Sequence, residues 1–310
     1  MIVSGTHTPG VSAADFGLPP HTALRYELPA QELLRFFPSY TVLDSDAALF
    51  TGSGSYVLPG WATIWIALND GPIGVTIRNK HYGALGAASV RGVTSRAMPV
   101  TTRGGVTVVV TINPLGWARF FAASAETMRD RLVPLDEVLL PGGWGADLVA
   151  LLGASDRGPA VKGLLDRFFL DHLPPPHADE PRIAEITALL ADPSRHDLVE
   201  AAAGLGISAQ AMLRLTKHHF GFPPKMLLMR TRFLRAIVGL ILNGRLHGAA
   251  LLPVGYYDAS HFTRDATRFL GMTPRRFLGH DLAYLHAVLR ARLLVTGAPA
   301  RSVAATELIA

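Results

Sequence analysis

Apolar and polar positions change their period partway along the chain. Between residues 24 and 112, short runs rich in β-branched and aromatic residues (YTVL, WATIWIAL, GVTIRN, ASVRGV and GVTVVVTI) are punctuated by Gly and Pro, which predicts an antiparallel sheet. Residues 115–130 and 144–172 turn to helical spacing, as in LVALLG and VKGLLDRFFLDHL, so the first domain is predicted to be α+β, an antiparallel sheet plus helices. The stretch LPPPHADEP at 173–181 holds Pro174, Pro175, Pro176 and Pro181, which cannot continue a helix and favour an extended, stiff connector. Beyond it the pattern reads as helix at 182–191, 197–204, 208–220, 224–243, a short one near 248–253, 259–270 and 274–290. The pattern divides the chain into a first domain (1–173), a Pro-rich linker (174–181), an all-α domain (182–290) and a loosely ordered tail (291–310).

The all-α part contains a repeat. SAQAMLRLTKHHFGFPPK at 208–225 aligns without a gap with DASHFTRDATRFLGMTPR at 258–275. Ser208 and Asp258 are both N-caps by type, because a short side-chain oxygen accepts from an orphan amide in the first turn. Gly221 and Gly271 close each helix about three turns later, where positive φ is needed, and Pro224 and Pro274 sit where a following helix starts. Gly206 and Gly255 supply the tight turn before each capped helix, so the pattern predicts two helix-turn-helix units joined by a long helix at 224–243. Met212, Leu215, Phe220, Phe262 and Phe269 can face a core. Gln210, Leu213, Arg214 and Lys217 form a stripe at i, i+3, i+4 and i+7 on the opposite face, and Ser260, His261, Arg264 and Arg268 occupy the corresponding stripe of the second helix. Arg214 alone reads as a solvated helix residue, but it recurs as Arg264. An arginine at that place can reach guanine O6 and N7 with two bonds while neighbouring cations neutralise phosphates. About 20 residues of connecting helix, roughly 30 Å, match the ~34 Å between successive major-groove faces.

Charge and composition narrow the partners. The chain has 310 residues and a net charge of +5, but 13 basic and 15 acidic residues precede position 180 whereas 16 basic and 9 acidic follow, so the halves carry opposite signs and the second suits a polyanion. The absence of cysteine excludes disulfides, thiolate metal sites and thiol nucleophiles. The runs AIVGLIL and GVTVVVTI are far short of the ~20 residues that span a bilayer, and MIVSGTHTPGVSAADFG lacks the basic and apolar regions of a secretory signal. A cytoplasmic protein without membrane partners is expected.

The segment GYYDASHFTRDATRFLGMTPRRF at 255–277 resembles the signature of AraC-type (AraC/XylS) transcriptional regulators, and 205–235 resembles that family's first helix-turn-helix and linker helix. The likeness spans roughly 182–280. It implies a DNA-binding domain preceded by a regulatory domain that senses a ligand or dimerises. Double-stranded DNA is then the expected partner, together with a small-molecule effector, a second copy of the chain and, for an activator, RNA polymerase. The positions matching the family's base contacts are Gln210, Leu213, Arg214, Ser260, His261 and Arg264. Residues 105–139 are similar to uncharacterised N-terminal domains of one AraC subgroup. Two departures stand out: Thr216 and Ala266 replace aromatic residues that usually wedge the recognition helices, and Pro253 falls in the short helix before Gly255. Losing both wedges would cost on the order of 2–4 kcal/mol unless Phe220, Phe222 and Phe269 repack. A protein-interaction or ligand-binding module with weakened duplex recognition is the alternative.

Other candidates are less specific. His261 suits a base or phosphate contact, or a bond back to the turn at Asp258. His218 and His219 are adjacent, face different directions on a helix and make a poor metal pair, so no metal and no cofactor is assigned. TGSGSY at 51–56 lacks the Lys-Ser/Thr of a phosphate loop and reads as a surface loop. No acid–base pair or nucleophile arrangement emerges, so no catalytic residue is assigned and no enzyme is expected. Trp61, Trp65 and Trp117 can line a pocket for an apolar ligand, although tryptophans at such places more often serve the core.

Overall fold

Strand alternation sets the layers of the first domain. The computed structural model describes residues 1–49, 55–68, 74–83, 86–102, 104–139, 143–192, 197–243 and 255–297. The strands are β1 (Thr22–Glu27), β2 (Tyr40–Ser45), β3 (Ser55–Val57), β4 (Ala62–Ala67), β5 (Gly74–Ile77), β6 (Lys80–Tyr82), β7 (Ala88–Arg91), β8 (Met98–Thr101), β9 (Gly105–Ile112) and β10 (Leu132–Pro134). They form a six-stranded sheet in the order β1-β2-β9-β4-β7-β10 and a four-stranded sheet in the order β3-β8-β5-β6, with every strand pair antiparallel. Val106, Val108, Val110 and Ile112 share one face of the larger sheet with Ala62, Ile64 and Ile66, and Ile64 lies opposite Val110, as a period of two requires. Three helices cover that face, α1 (Pro114–Phe120), α2 (Gly145–Gly153) and α3 (Ala160–Asp171), through Phe120, Leu148, Leu152, Leu165 and Phe169. On the opposite face, Trp65 and Val109 pack against Val75, Ile77 and Met98 of the smaller sheet.

The expected helix over 115–130 stops at Phe120. Phe121 is extended, stacks on Trp117 at 4.4 Å and bridges to Leu139, and residues 125–130 form turns instead. Their apolar positions at helical spacing, Ala125 and Met128, are buried all the same, which is why periodicity misread them. The region expected to be helical at 144–172 is likewise divided between Gly153 and Ala160.

The second part is helical: α4 (Glu180–Ala191), α5 (Leu198–Gly204), α6 (Ala209–Phe220), α7 (Pro224–Leu242), α8 (Ala259–Leu270), α9 (Pro274–Leu278) and α10 (Ala283–Thr296). Two expectations are corrected. The connector ends early, because Glu180 and Pro181 already form the first turn of α4, where proline's missing amide costs nothing. The single helix expected at 274–290 is two helices, and the second continues through residues 291–296, which were expected to be a loose tail. Ala291 and Val295 lie buried against Phe16, Leu24 and Tyr26, and Tyr284 donates to the Ala23 carbonyl at 3.2 Å. That long-range packing fixes a segment whose own sequence has weak periodicity. The helix expected near 248–253, Pro253, the first part of TGSGSY (51–54) and the tail from 298 onward lie outside the described residues.

The two parts share cores. Trp61, Val93 and Ala118 pack with Ile183, Met212, Leu215 and Phe220, while Leu58 and Ala97 pack with Phe233, Phe262, Phe269 and Phe277. Arg230 of α7 is fully buried, with its guanidinium 4.4 Å from the Trp61 ring and 5.0 Å from the Phe222 ring. Gly221, with φ +76°, closes α6 at the same junction, and a Cβ added there would lie 2.3 Å from Val93 Cγ2 and 3.0 Å from the Ala125 carbonyl oxygen. Gly271 closes α8 with φ +77°, and its nearest neighbour to an added Cβ is the Arg96 side chain at 3.9 Å.

These two glycines form a matched test. Gly271→Ala is expected to lower the free energy of unfolding by about 1–2 kcal/mol through left-handed backbone strain alone. Gly221→Ala carries the same strain plus the clash with the first domain, so its loss in urea denaturation should be distinctly larger. Equal losses would contradict the close packing at Gly221.

Candidate nucleic-acid interface

The repeated caps fold as the sequence pattern requires. Ser208 Oγ accepts from the Ala211 amide at 3.1 Å, and Asp258 Oδ1 accepts from the His261 amide at 2.6 Å, so both capped helices start with an orphan donor satisfied. Gly206 and Gly255 turn at φ +67° and +92°. With Met212, Leu215, Phe220, Phe262 and Phe269 all buried, Gln210, Leu213, Arg214, Ser260, Arg264 and Arg268 are left exposed on α6 and α8. Leu213 is 40% exposed, which places an apolar contact beside Arg214.

Two members of the predicted set are engaged by other groups. Lys217 Nζ lies 3.0 Å from Glu126 Oε1 in the first domain. His261 is half-buried: its Nε2 lies 3.1 Å from an Arg232 nitrogen and its ring meets Tyr256 edge-on at 5.0 Å. Of the two roles open to His261, this geometry serves a structural one, although it uses Arg232 rather than a side-chain bond to the Asp258 turn. Arg232 also bonds Asp265 Oδ2 at 2.7 Å, and the Tyr256 hydroxyl donates to the same oxygen at 2.9 Å. Asp265 is therefore the buried polar centre of the second unit.

Thr216 and Ala266, the missing aromatic wedges, are both fully buried. The Thr216 hydroxyl donates to the Met212 carbonyl at 2.9 Å, which removes the penalty of a buried unpaired hydroxyl. Phe220 and Phe222 fill the first unit, and Phe233 stacks on Phe269 at 5.3 Å in the second. Ala266 shares its cluster with Phe233, Phe262 and Phe269.

The first domain reaches the C-terminal ends of both recognition helices. The Ala125 amide donates to the His218 carbonyl at 2.7 Å and the Ala97 amide to the Phe269 carbonyl at 2.7 Å. Arg129 donates to the Gly221 carbonyl at 3.4 Å and Arg96 Nε to the Arg268 carbonyl at 3.1 Å. The sequence reading missed these contacts, and it missed Tyr257. That residue precedes a helix cap, a place where an aromatic usually staples into the core, yet Tyr256 is buried and Tyr257 is 93% exposed beside the start of α8.

The three candidate tryptophans divide. Trp61 packs on Phe220 and Arg230, and Trp65 lies between the sheets with its Nε1 donating to Thr63 at 2.7 Å. Trp117 lines a cavity of about 240 Å³ bounded also by Phe121, Pro174, Pro176 and His218. Near the cavity, Glu180 accepts from Arg119 Nε at 2.5 Å and from Arg35 at 3.1 Å. Burial alone would raise the Glu180 carboxyl, but the bonds from Arg119 and the His177 amide hold it below the ordinary glutamate range. Burial pushes the His219 imidazole down to about 4 despite its bond to Asp179. Neutral above that, it donates Nε2–H to Asp179 Oδ2 at 2.9 Å.

No curated protein matches the chain. Among solved structures, ToxT from Vibrio cholerae is similar at 11% identity and a TM-score of 0.42, covering 77% of this chain and 97% of that one. An apo single-substitution form of ToxT from V. cholerae strain SCE256 is similar at 14% identity and a TM-score of 0.41, covering 77% and 96%. No described helix is long and apolar enough to cross a membrane. A helix-turn-helix domain model matches residues 201–280. This match spans both capped helices and the long helix between them, and it identifies residues 201–280 as a helix-turn-helix domain.

Proposed function

We propose that the protein is a transcriptional regulator that reads duplex DNA with α6 and α8 in adjacent major grooves, under the control of its first domain. The observation that carries this reading is the pair of equivalent exposed stripes. Arg214 and Arg264 occupy the same position of two capped helices, each with its opposite face buried in its own core. Gln210, Leu213 and Ser260 flank them as further base-edge contacts, and Lys217 and Arg268 serve phosphates. His261 shapes the second unit through Arg232. The connecting α7 has 19 residues, about 28 Å of helix, which suits one turn of B-DNA between reading heads.

Control by the first domain is supported by the bonds at the ends of both recognition helices and by the Glu126–Lys217 pair. Each is a route by which an effector or a second copy of the chain, acting on the first domain, reaches the DNA-facing helices.

Selection of bound duplexes from a random library by the full-length protein tests the reading. A site with two determinants about one helical turn apart is expected, and the absence of any enriched motif would refute it. On the selected site, Arg214→Ala and Arg264→Ala should each weaken binding by roughly 1–3 kcal/mol, about 5- to 150-fold, and relax preference at different base pairs. Fluorescence anisotropy that finds both variants unchanged would remove them from the reading face.

Glu126→Gln provides an independent test. It releases Lys217 and removes an acidic group beside the DNA path, so affinity at low salt should rise a few-fold, and the salt dependence should steepen by up to about one ion. Unchanged or weaker binding would place Lys217 outside the phosphate contacts.

A further inference from the structure

The connector and the last turn of α6 bring together three metal-ligating side chains, with Arg214 near enough to act on the Asp179 carboxylate. His177 and Asp179 come from the connector and His219 from the last turn of α6, and one potential ligand atom of each lies within 4.8 Å of the others. His219 Nε2 is 2.9 Å from Asp179 Oδ2. The His177 and His219 rings stand nearly perpendicular with centroids 5.3 Å apart.

The surroundings fix this cluster. Asp179 occupies the N-cap of α4, but its carboxylate makes no capping bond. It forgoes the ordinary role of an aspartate at that place and turns to the imidazole. The His177 amide donates to Glu180 Oε1 at 3.0 Å, and that buried carboxylate is anchored by Arg119. The Pro174 carbonyl also accepts from Arg119, at 2.7 Å. The backbone carrying two of the three ligands is therefore held from the first domain. His219 is 2% exposed and fixed by the packing of α6. The cavity bordered by Pro176, His177 and His219 lies alongside and gives a path for an ion and room for a water.

We propose that His177, Asp179 and His219 form a binding site for a divalent transition-metal ion of the zinc class. Two imidazoles and one carboxylate are a borderline-soft donor set suited to Zn²⁺, and three protein ligands leave a fourth position for solvent. The ion takes the place of the proton shared by His219 Nε2 and Asp179 Oδ2, and that proton moves to the other ring nitrogen of His219. The Asp179 amide donates to His177 Nδ1 at 3.0 Å and orients that ring. His218 is adjacent in sequence but exposed at the cavity edge, and it is not one of the ligands. A bound ion would cross-link the connector to the end of the first recognition helix, across 40 residues of chain. This assignment stands independently of the DNA-binding reading.

The test is calorimetric titration of full-length protein, stripped with chelator, with Zn²⁺, together with melting curves with and without the ion. The expected result is one saturable site per chain and a higher melting temperature with zinc. His219→Ala risks unfolding because the residue is buried, so the deciding variants are His177→Ala and Asp179→Asn at half-buried positions, with His218→Ala as control. Each deciding variant should weaken binding tenfold or more, and the control should leave it unchanged. Absence of a stoichiometric site, a smaller loss in either deciding variant, or a comparable loss in the control would overturn the proposal. Co²⁺ loaded in place of Zn²⁺ should give visible absorption of a four-coordinate site that disappears in the same two variants.

Discussion

The last turn of an α-helix leaves carbonyl groups that its own backbone cannot satisfy, and burying them without donors is costly. In this protein the first domain supplies donors to both recognition helices, from Ala125 and Arg129 at α6 and from Ala97 and Arg96 at α8. Much of the architecture follows from that arrangement. Gly221 must remain without a side chain because Val93 and Ala125 approach it. In the turns at 125–130 the first amide, that of Ala125, goes to the His218 carbonyl of α6, those of Thr127, Met128 and Arg129 bond locally, and that of Asp130 goes to the Val93 carbonyl. Trp61 serves the core of the first helix-turn-helix unit, so a tryptophan that sequence alone offers as a ligand contact is instead part of the join.

The legible and illegible parts of the sequence differ in range. The caps at Ser208 and Asp258, the closing glycines and the buried faces of α6 and α8 are local, set by residues within four positions of one another, and the repeat made them readable twice over. Strands β4, β5, β7 and β9 were legible for the same reason, since alternation is a local property. The early end of α1, the continuation of α10 to Thr296 and the start of α4 at Glu180 were not, because each is decided by a distant partner: Leu139 for Phe121, Phe16 and Leu24 for Val295, and Arg119 for Glu180. The exposed stripe of α6 and α8 was visible as a pattern. The engagement of Lys217 by Glu126, 91 positions away, and of His261 by Arg232 was not.

The basic excess after position 179 suggested a polyanion partner, but part of it serves the fold. Arg230 is buried on Trp61 and Phe222, Arg232 pairs with Asp265, Arg235 donates to the Ala191 carbonyl at the end of α4, and Arg292 is buried. The cations left exposed include Arg214, Lys225, Arg264, Arg268, Arg275 and Arg276. These lie on α6, α8 or the starts of the helices that follow them, and Arg290 of α10 is exposed as well. The repeat therefore sorts the arginines better than the total does: those in the recognition helices face solvent, and those on the buried side of α7 hold the units together.

The relative placement of the two recognition helices is set twice. One connection is α7, which runs between the units. The other is residues 93–97, whose first member packs at Gly221 and whose last bonds the Phe269 carbonyl. A five-residue segment spans at most about 18 Å even when fully extended, so the ends of α6 and α8 are kept within that reach by one short piece of the first domain. Asp130 braces its middle by accepting from the Ser95 amide and hydroxyl, both at 2.6 Å, while the Asp130 amide donates to the Val93 carbonyl at 2.9 Å. A long helix by itself bends and lets the units at its ends twist. A second, shorter tie, residues 93–97 of the first domain, links the C-terminal ends of α6 and α8 independently of α7.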